Sequence, residues 1–355
     1  MTNVLITGAC GFVGSTLALE LAGSGDGLTV IGLDNLARSG SEANRAILRH
    51  RGVRVLHGDI RNPSDLESMP AVDWVIDAAA NPSVLAGVAG GTTSRQVMEH
   101  NLVGTLNVLE FCRRHRSGLL MLSTSRVYSL RKLAELPMET VSGAFAPNFS
   151  AISAQGFGLA GVTEAFSTGA PLSLYGASKL ASEIIALEYA AAFNLRVHIN
   201  RCGVLAGAGQ FGKADQGIFS YWIHSYCRRR PLRYIGFGGT GHQVRDCLHP
   251  RNLTSLLRAQ MRSSNPGGVL NVGGGLASSM SLAQLSDWCA NRFGNHPIQG
   301  DPEPRPFDIP WMVLDTAEVE RVWGWKPATP LQSILEEIAG HAEQHPDWLE
   351  CSADA

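Results

Sequence analysis

The stretch Thr7-Gly8-Ala9-Cys10-Gly11-Phe12-Val13-Gly14 sets three glycines at G-x-x-G-x-x-G spacing directly behind an apolar run at residues 3–7. A strand that ends in such a turn and reopens as a helix narrows the possible folds more than any other part of the chain. One glycine permits the tight turn, another lets backbone approach a pyrophosphate, and the third lets helix and strand pack closely. The pyrophosphate would sit at the helix N-terminus, where unpaired N–H groups and the helix dipole favour negative charge. The strand–turn–helix context raises the motif well above a lone glycine pattern. It assigns Gly8, Gly11, Phe12, Val13 and Gly14 to a dinucleotide cofactor.

The rest of the first two hundred residues repeats the same alternation. Short apolar runs lie at 28–34, 53–59, 74–78, 118–123 and 196–201, and a further run at 269–272 is a candidate seventh strand. Helical patterns fall between them, at 15–22, 97–114 and 177–193. Near-continuous apolar strands alternating with helices predict an α/β fold with a doubly wound parallel sheet of about seven strands. The alternation breaks twice. Residues 130–174 are rich in Gly, Ala, Ser and Pro and read as a long insertion, expected to form a lid or to remodel the ligand pocket. After about residue 203 the pattern turns mixed. We therefore expect a cofactor domain at 1–203 and a smaller mixed lobe at 204–355, with 240–275 returning a strand to the first sheet.

Composition excludes several classes. A net charge of −2 with 17% charged residues points to neither nucleic acid nor an anionic membrane surface as a partner. Seven cysteines at wide spacings, with no C-x-x-C pair, predict reduced thiols in a cytoplasmic protein. Eleven histidines form no H-x-x-x-H pattern, so no metal is expected. No secretory leader or bilayer-length apolar stretch is recognisable.

Asp34 ends the second run, twenty residues past Gly14. A carboxylate there accepts hydrogen bonds from both adenosine ribose hydroxyls and repels a 2′-phosphate, which favours NAD over NADP. Arg38 lies near enough to soften that preference. Asp59 and Ile60 follow the third run and are expected at the adenine. Ala78, Ala79 and Ala80 end the fourth, where small side chains let a cofactor lie against backbone.

Tyr175 and Lys179 form Y-x-x-x-K at the start of a helix, where positions i and i+4 share a face. An ammonium beside a phenol lowers its pKa, so the phenol can exchange a proton with a sugar hydroxyl near neutral pH. Thr124, at the end of the fifth run, supplies a hydroxyl to the same reacting oxygen, with Ser123 as the alternative.

Together these pieces resemble the extended short-chain dehydrogenase/reductase superfamily over nearly the whole chain. The resemblance implies a Rossmann fold, a C-terminal substrate lobe and a catalytic set of Thr124, Tyr175 and Lys179. Further stretches resemble the CDP-paratose 2-epimerase (CDP-tyvelose 2-epimerase) family. They are Asp34-Asn35-Leu36-Ala37-Arg38, Gly58-Asp59-Ile60-Arg61-Asn62, the segment from Gln210 and Phe211 to Gln216 and Gly217, Gln243-Val244-Arg245-Asp246, and Arg305-Pro306-Phe307-Asp308. The resemblance implies that Arg245 and Arg305 hold a nucleotide diphosphate, with charge-assisted bonds suited to phosphate. It also carries Asn35, Asn101 and Cys202 to the cofactor, and Arg201, Gln210, Phe211, Gln216 and Gln243 to the substrate.

The 4,6-dehydratases carry Thr-Asp-Glu where this chain has Thr124-Ser125-Arg126, so the acidic pair that removes water is missing. Val204 stands where many members have a substrate-binding asparagine, and Ser129 replaces a glycine. The residues leave three readings open: a 2-epimerase of CDP-deoxyhexoses, a 4-epimerase or dehydrogenase of a related UDP- or CDP-sugar, and a non-catalytic NAD-binding regulator. A homodimer or homotetramer, paired through the helices at 97–114 and 177–193, is the expected assembly, and lipopolysaccharide supply the expected setting.

Overall fold

The computed structural model describes residues 2–88, 92–213 and 216–353. Seven strands form its main sheet, labelled here in chain order: β1 (Thr2–Thr7), β2 (Leu28–Asp34), β3 (Arg54–His57), β4 (Trp74–Asp77), β5 (Gly118–Thr124), β6 (Val197–Cys202) and β7 (Gly267–Val272). Every pairing among them is parallel. The order β7-β6-β5-β4-β1-β2-β3 reverses direction between β1 and β4, which opens a crevice at the carboxyl ends of those strands. The strand positions follow the apolar runs to within one or two residues at most ends.

Residues alternate between the two sheet faces with period two. Val4, Ile6, Trp74, Ile76, Leu120 and Leu122 face one buried layer, shared with Leu17 and Leu21 of helix Phe12–Ala22 and Leu253 and Leu257 of helix Leu253–Arg262. Leu5, Val75, Leu119, Met121 and Ile199 face the other, shared with Val108 and Leu109 of helix Gly104–His115 and Ala186 of helix Leu174–Phe193. Both faces are covered, as an all-parallel sheet requires.

The C-terminal lobe has its own core, where helices Ile218–Cys227, Leu282–Phe293 and Leu331–Gln344 pack through Trp222, Ile223, Leu285, Ile334 and Ile338. A small sheet joins Val204–Leu205, Val244–Leu248, Ser279–Ser281 and Trp311–Met312 and ties the lobe to the end of the main sheet. The segment at 130–174 differs from the expected lid. Its hairpin Met138–Val141/Ala144–Pro147 and its apolar residues Leu133, Val162 and Phe166 pack with Val244 and Ile309–Leu314. Among the described residues, none of 130–174 lines the central cleft. The insertion has enough apolar surface to bury itself against the lobe, and that decides its place.

Candidate active site

A cleft of about 880 Å³ runs across the carboxyl ends of the strands and under the lobe. Its cofactor side is shaped by close backbone contacts. Gly8 has φ +63°, and a Cβ on it would stand 2.8 Å from the Ala79 Cα. A Cβ on Gly14 would stand 2.1 Å from the Gly8 carbonyl oxygen. These are the two positions where only glycine lets the turn close and the helix approach the strand. Gly11 then opens helix Phe12–Ala22 toward the cleft.

Asp34 holds this turn in place. Its carboxylate accepts from the Cys10 amide at 2.8 Å and the Leu36 amide at 2.8 Å. Burial pushes its pKa up and those backbone donors pull it back. Asp59 is held by Arg61 at 2.6 Å and by the Asn35 amide at 3.0 Å. Burial alone would raise it, but these bonds keep its carboxyl below the ordinary range. Asn35, Ile60 and Ala78–Ala80 line the same cleft. The glycine turn, the open helix end and the carboxylate at the end of β2 suit a dinucleotide.

Arg38 lines the cleft but is turned toward the lobe. It donates to the Gln216 side chain at 3.1 Å and to the Phe211 carbonyl at 3.0 Å. Asn101 departs from its expected place. It is buried, bonded to the Asn81 amide at 2.8 Å and to the Ser178 hydroxyl at 3.0 Å, and is not among the residues lining the cleft. It joins the loop after β4 to the Tyr175 helix from behind.

Helix Leu174–Phe193 begins at the N-cap Ser173, whose hydroxyl accepts from the Gly176 amide at 3.0 Å. This cap fixes the first turn and places Tyr175 at the cleft. Thr124 lines the same cleft. Burial lifts the Tyr175 phenol above its ordinary pKa, while the Thr124 hydroxyl and the Arg126 charge act the other way. Lys179 lies one turn on, 2% exposed. Burial lowers its pKa, and Asp77 and Glu183 oppose this. Burial pushes the Cys202 thiol, which also lines the cleft, up to about 12, so it is neutral at physiological pH.

Arg201 is the second displaced residue. It does not line the cleft but forms a buried ion pair with Glu183 at 2.7 Å, with the two side chains 8% and 2% exposed. Ser123 donates to the same carboxylate, and Arg201 also donates to the Tyr128 hydroxyl at 3.3 Å. The bidentate pairing with Glu183 and the bond to Tyr128 turn this guanidinium away from the cleft. This pairing also takes Ser123 out of consideration for the hydroxyl role.

On the lobe side, Gln210, Phe211, Gln216, Gln243, Arg245 and Arg305 all line the cleft. Gln210 donates to the Leu205 carbonyl at 2.7 Å, and Gln243 to Asp308 at 3.3 Å. Arg245 pairs with Asp308 at 2.9 Å, and burial lowers its pKa. Val204 lines the cleft as well. Sequence reasoning missed Arg126, Asp308, His100 and Glu183. The first three line the cleft, and Glu183 lies beneath it. Arg126 had a signal: it sits two residues past Thr124 at the end of a strand. Glu183 had one only in its helical spacing, four residues past Lys179. Among the described residues, no cluster of His, Cys, Asp or Glu is arranged to hold a metal, and no helix is long and apolar enough to cross a membrane.

A crevice at the sheet switch point, a glycine turn and a Tyr–Lys helix define an α/β enzyme of nucleotide chemistry. Residues 4–273 match the model of the NAD dependent epimerase/dehydratase family, and the chain belongs to that family. It is 31% identical to CDP-paratose 2-epimerase from Salmonella typhi, over 92% of this chain and 94% of that one. It is also 31% identical to UDP-glucuronate 4-epimerase 1 from Arabidopsis thaliana, over 95% of this chain and 75% of that one. Among solved structures, UDP-glucose 4-epimerase from Thermus thermophilus in complex with NAD superposes with a TM-score of 0.74 at 25% identity, covering 96% of this chain and 99% of that one. The protein is an NAD-dependent enzyme of the nucleotide-sugar epimerase/dehydratase type.

Proposed function

We propose that this enzyme inverts carbon 2 of a CDP-linked deoxyhexose, a reaction of the CDP-paratose to CDP-tyvelose type. The observation that carries this reading is that Thr124 and Tyr175 line the same cleft as the glycine turn, Arg245 and Arg305. The 31% identity to CDP-paratose 2-epimerase over nearly all of both chains supports the choice of carbon and nucleotide.

The residues divide the work as follows. Gly8, Gly11, Phe12, Val13 and Gly14 receive the cofactor pyrophosphate, and Asp34 the adenosine ribose. Asn35, Asp59 and Ile60 border the adenine, and Ala78–Ala80 and Cys202 the remaining length. Arg245 and Arg305 hold the substrate diphosphate, while Gln210, Phe211, Gln216 and Gln243 wall the nucleotide. Tyr175 takes the proton of the sugar hydroxyl, Thr124 holds the reacting oxygen, and Lys179 keeps positive charge beneath them. When bound, NAD would supply reversible hydride transfer at that carbon, and inversion would need the cleft to let the sugar turn over between the two transfers. No acidic side chain follows Thr124, which disfavours dehydration.

A second reading, inversion at carbon 4 of a UDP-sugar, is favoured by the equal identity to UDP-glucuronate 4-epimerase 1. Proton NMR of the purified protein with CDP-paratose, CDP-hexoses and UDP-hexoses separates the two. Inversion at carbon 2 without net NADH supports the first reading, and inversion at carbon 4 replaces it with the second. Net accumulation of NADH would make the protein a dehydrogenase.

We also assign a cytoplasmic homo-oligomer serving lipopolysaccharide or another glycoconjugate. Leu106, Ile184, Leu187 and Phe193 are exposed on helices Gly104–His115 and Leu174–Phe193, which suits pairing of these helices between copies. Sedimentation of the protein at a single monomer mass would remove that assignment.

A further inference from the structure

The segment Arg305–Asp308 borders the cleft, and two guanidiniums anchor it from opposite sides. The Asp308 amide donates to the Arg305 carbonyl at 3.3 Å, closing a tight turn with Pro306 and Phe307 in its middle. Phe307 takes φ +59°, a left-handed conformation that bulky residues rarely adopt. Such a residue persists only where its surroundings hold it. From the lobe, Arg245 Nη2 bonds the Asp308 carboxylate at 2.9 Å. From the end of β5, Arg126 Nη1 donates to the Phe307 carbonyl at 3.2 Å. The Arg126 backbone is itself fixed. Its amide donates to the Thr124 Oγ1 at 3.2 Å, and a Cβ on Gly176 would stand 2.3 Å from its carbonyl oxygen.

The two guanidiniums differ in what they have left to offer. Arg245 is paired with Asp308, whose carboxylate offsets its charge. Among the described residues no carboxylate pairs with Arg126, and its Nη1 meets a neutral carbonyl. Its Nε and Nη2 have no protein partner among the described residues, yet neither is sealed in the interior. The side chain is half-buried and lines the cleft together with Arg245 and Arg305. Burial, then Arg245, lowers its pKa to about 10, so it stays charged at neutral pH. A half-buried guanidinium with open donors and no counter-ion suits an anion in the cleft. Each phosphate of a nucleotide sugar is such an anion. Because Arg126 springs from the Thr124 end of the cleft, the phosphate within its reach is the one that bears the sugar.

We propose that Arg126 binds the sugar-bearing phosphate of the substrate, as a third arginine beside Arg245 and Arg305. This rests on the reading of that pair as the diphosphate site, and not on the choice of sugar, carbon or base. Nη1 keeps the Arg305 turn in place through the Phe307 carbonyl, while Nε and Nη2 donate to phosphate oxygens. One side chain, tied through its own backbone to Thr124, thus fixes the diphosphate relative to the reacting end of the cleft.

The test needs no turnover. Calorimetry on NAD-loaded protein gives the affinity for CDP and for CMP, which lacks the second phosphate; UDP and UMP form the same comparison. Arg126→Met should weaken the diphosphate roughly ten- to a hundredfold and leave the monophosphate nearly unchanged, and Arg126→Lys should recover part of the loss. Added to Arg305→Ala, Arg126→Met should cost a similar factor again, because a contact made independently of Arg305 keeps its worth. Unchanged CDP affinity in Arg126→Met overturns the proposal. So does an equal loss for CDP and CMP, or no further loss beside Arg305→Ala, which would leave Arg126 a support of the turn alone. A loss confined to UDP-glucuronate, with CDP and UDP unaffected, would also overturn it and give the cation to a sugar carboxylate. Should Arg126→Met fail to fold, Arg126→Gln carries the same comparison, with NAD affinity as the check on folding. If Arg245→Ala leaves CDP affinity unchanged, the diphosphate reading itself fails. If Arg245→Ala weakens CDP and Arg126→Met does not, only the role of Arg126 falls.

Discussion

The indole of Trp348 stacks on the ring of Phe211, with centroids 5.3 Å apart and planes 14° from parallel. Its Nε1 also donates to the Gln210 carbonyl at 2.8 Å. Helix Trp348–Ala353, the last described element, thereby anchors two cleft residues from more than a hundred positions away. Arg38 holds the same segment from the cofactor side, with its guanidinium 5.7 Å from the Phe211 ring centroid. Trp348→Ala should loosen this wall. An aromatic pair and one hydrogen bond together amount to about 1–2 kcal/mol, or roughly tenfold. That loss should appear in KM for the nucleotide sugar, with kcat and NAD affinity nearly unchanged. An unchanged KM would remove Trp348 from the substrate wall.

Tyr175→Phe removes one oxygen and keeps the packing of the ring. Turnover should be abolished and NAD binding, measured by calorimetry, largely retained. Full activity in this variant would end the assignment of Tyr175 as the base.

Asp34→Ala should weaken NAD binding and relax discrimination against NADP. The change also frees the Cys10 amide, so the glycine turn loses a hydrogen-bond tether, and it frees the Leu36 amide in the loop after β2. The check is the ratio of NAD to NADP affinity, and an unchanged ratio would show that Asp34 does not touch the ribose.

Arg245→Ala should weaken substrate binding far more than cofactor binding. The loss of charge-assisted bonds to phosphate is worth about 1.5–3 kcal/mol, or roughly ten- to a hundredfold in affinity. Titration calorimetry with a nucleoside diphosphate reads it directly. Equal affinity would remove Arg245 from the diphosphate site.

Arg201→Met should act on stability rather than on recognition. It leaves the Glu183 carboxylate buried without its cation, a change that typically costs about 3–5 kcal/mol. Thermal unfolding should fall by several degrees or more. The double variant Arg201→Met/Glu183→Leu should recover part of the loss, because no charge is then left unpaired. A stable Arg201→Met protein with weakened substrate binding would return Arg201 to the substrate.

The local parts of this protein were legible in its residues. A parallel strand buried on both faces is a continuous apolar run, so all seven sheet strands could be read from hydrophobicity alone. The glycine turn, the carboxylate at the end of β2 and the Tyr175–Lys179 spacing each lie within one or two elements, where steric and helical rules act directly. What neighbours each polar side chain met was a matter of tertiary structure. Arg201 and Asn101 were expected to face ligands, but the packing of the Tyr175 helix against the sheet brought Glu183 and Ser178 to them instead. Arg126, Asp308 and Trp348 acquired their places only when segments more than a hundred residues apart closed over one cleft. An unpaired buried charge or amide is costly, so such groups take whichever partner the fold delivers, and the order of residues along a chain does not show that partner in advance.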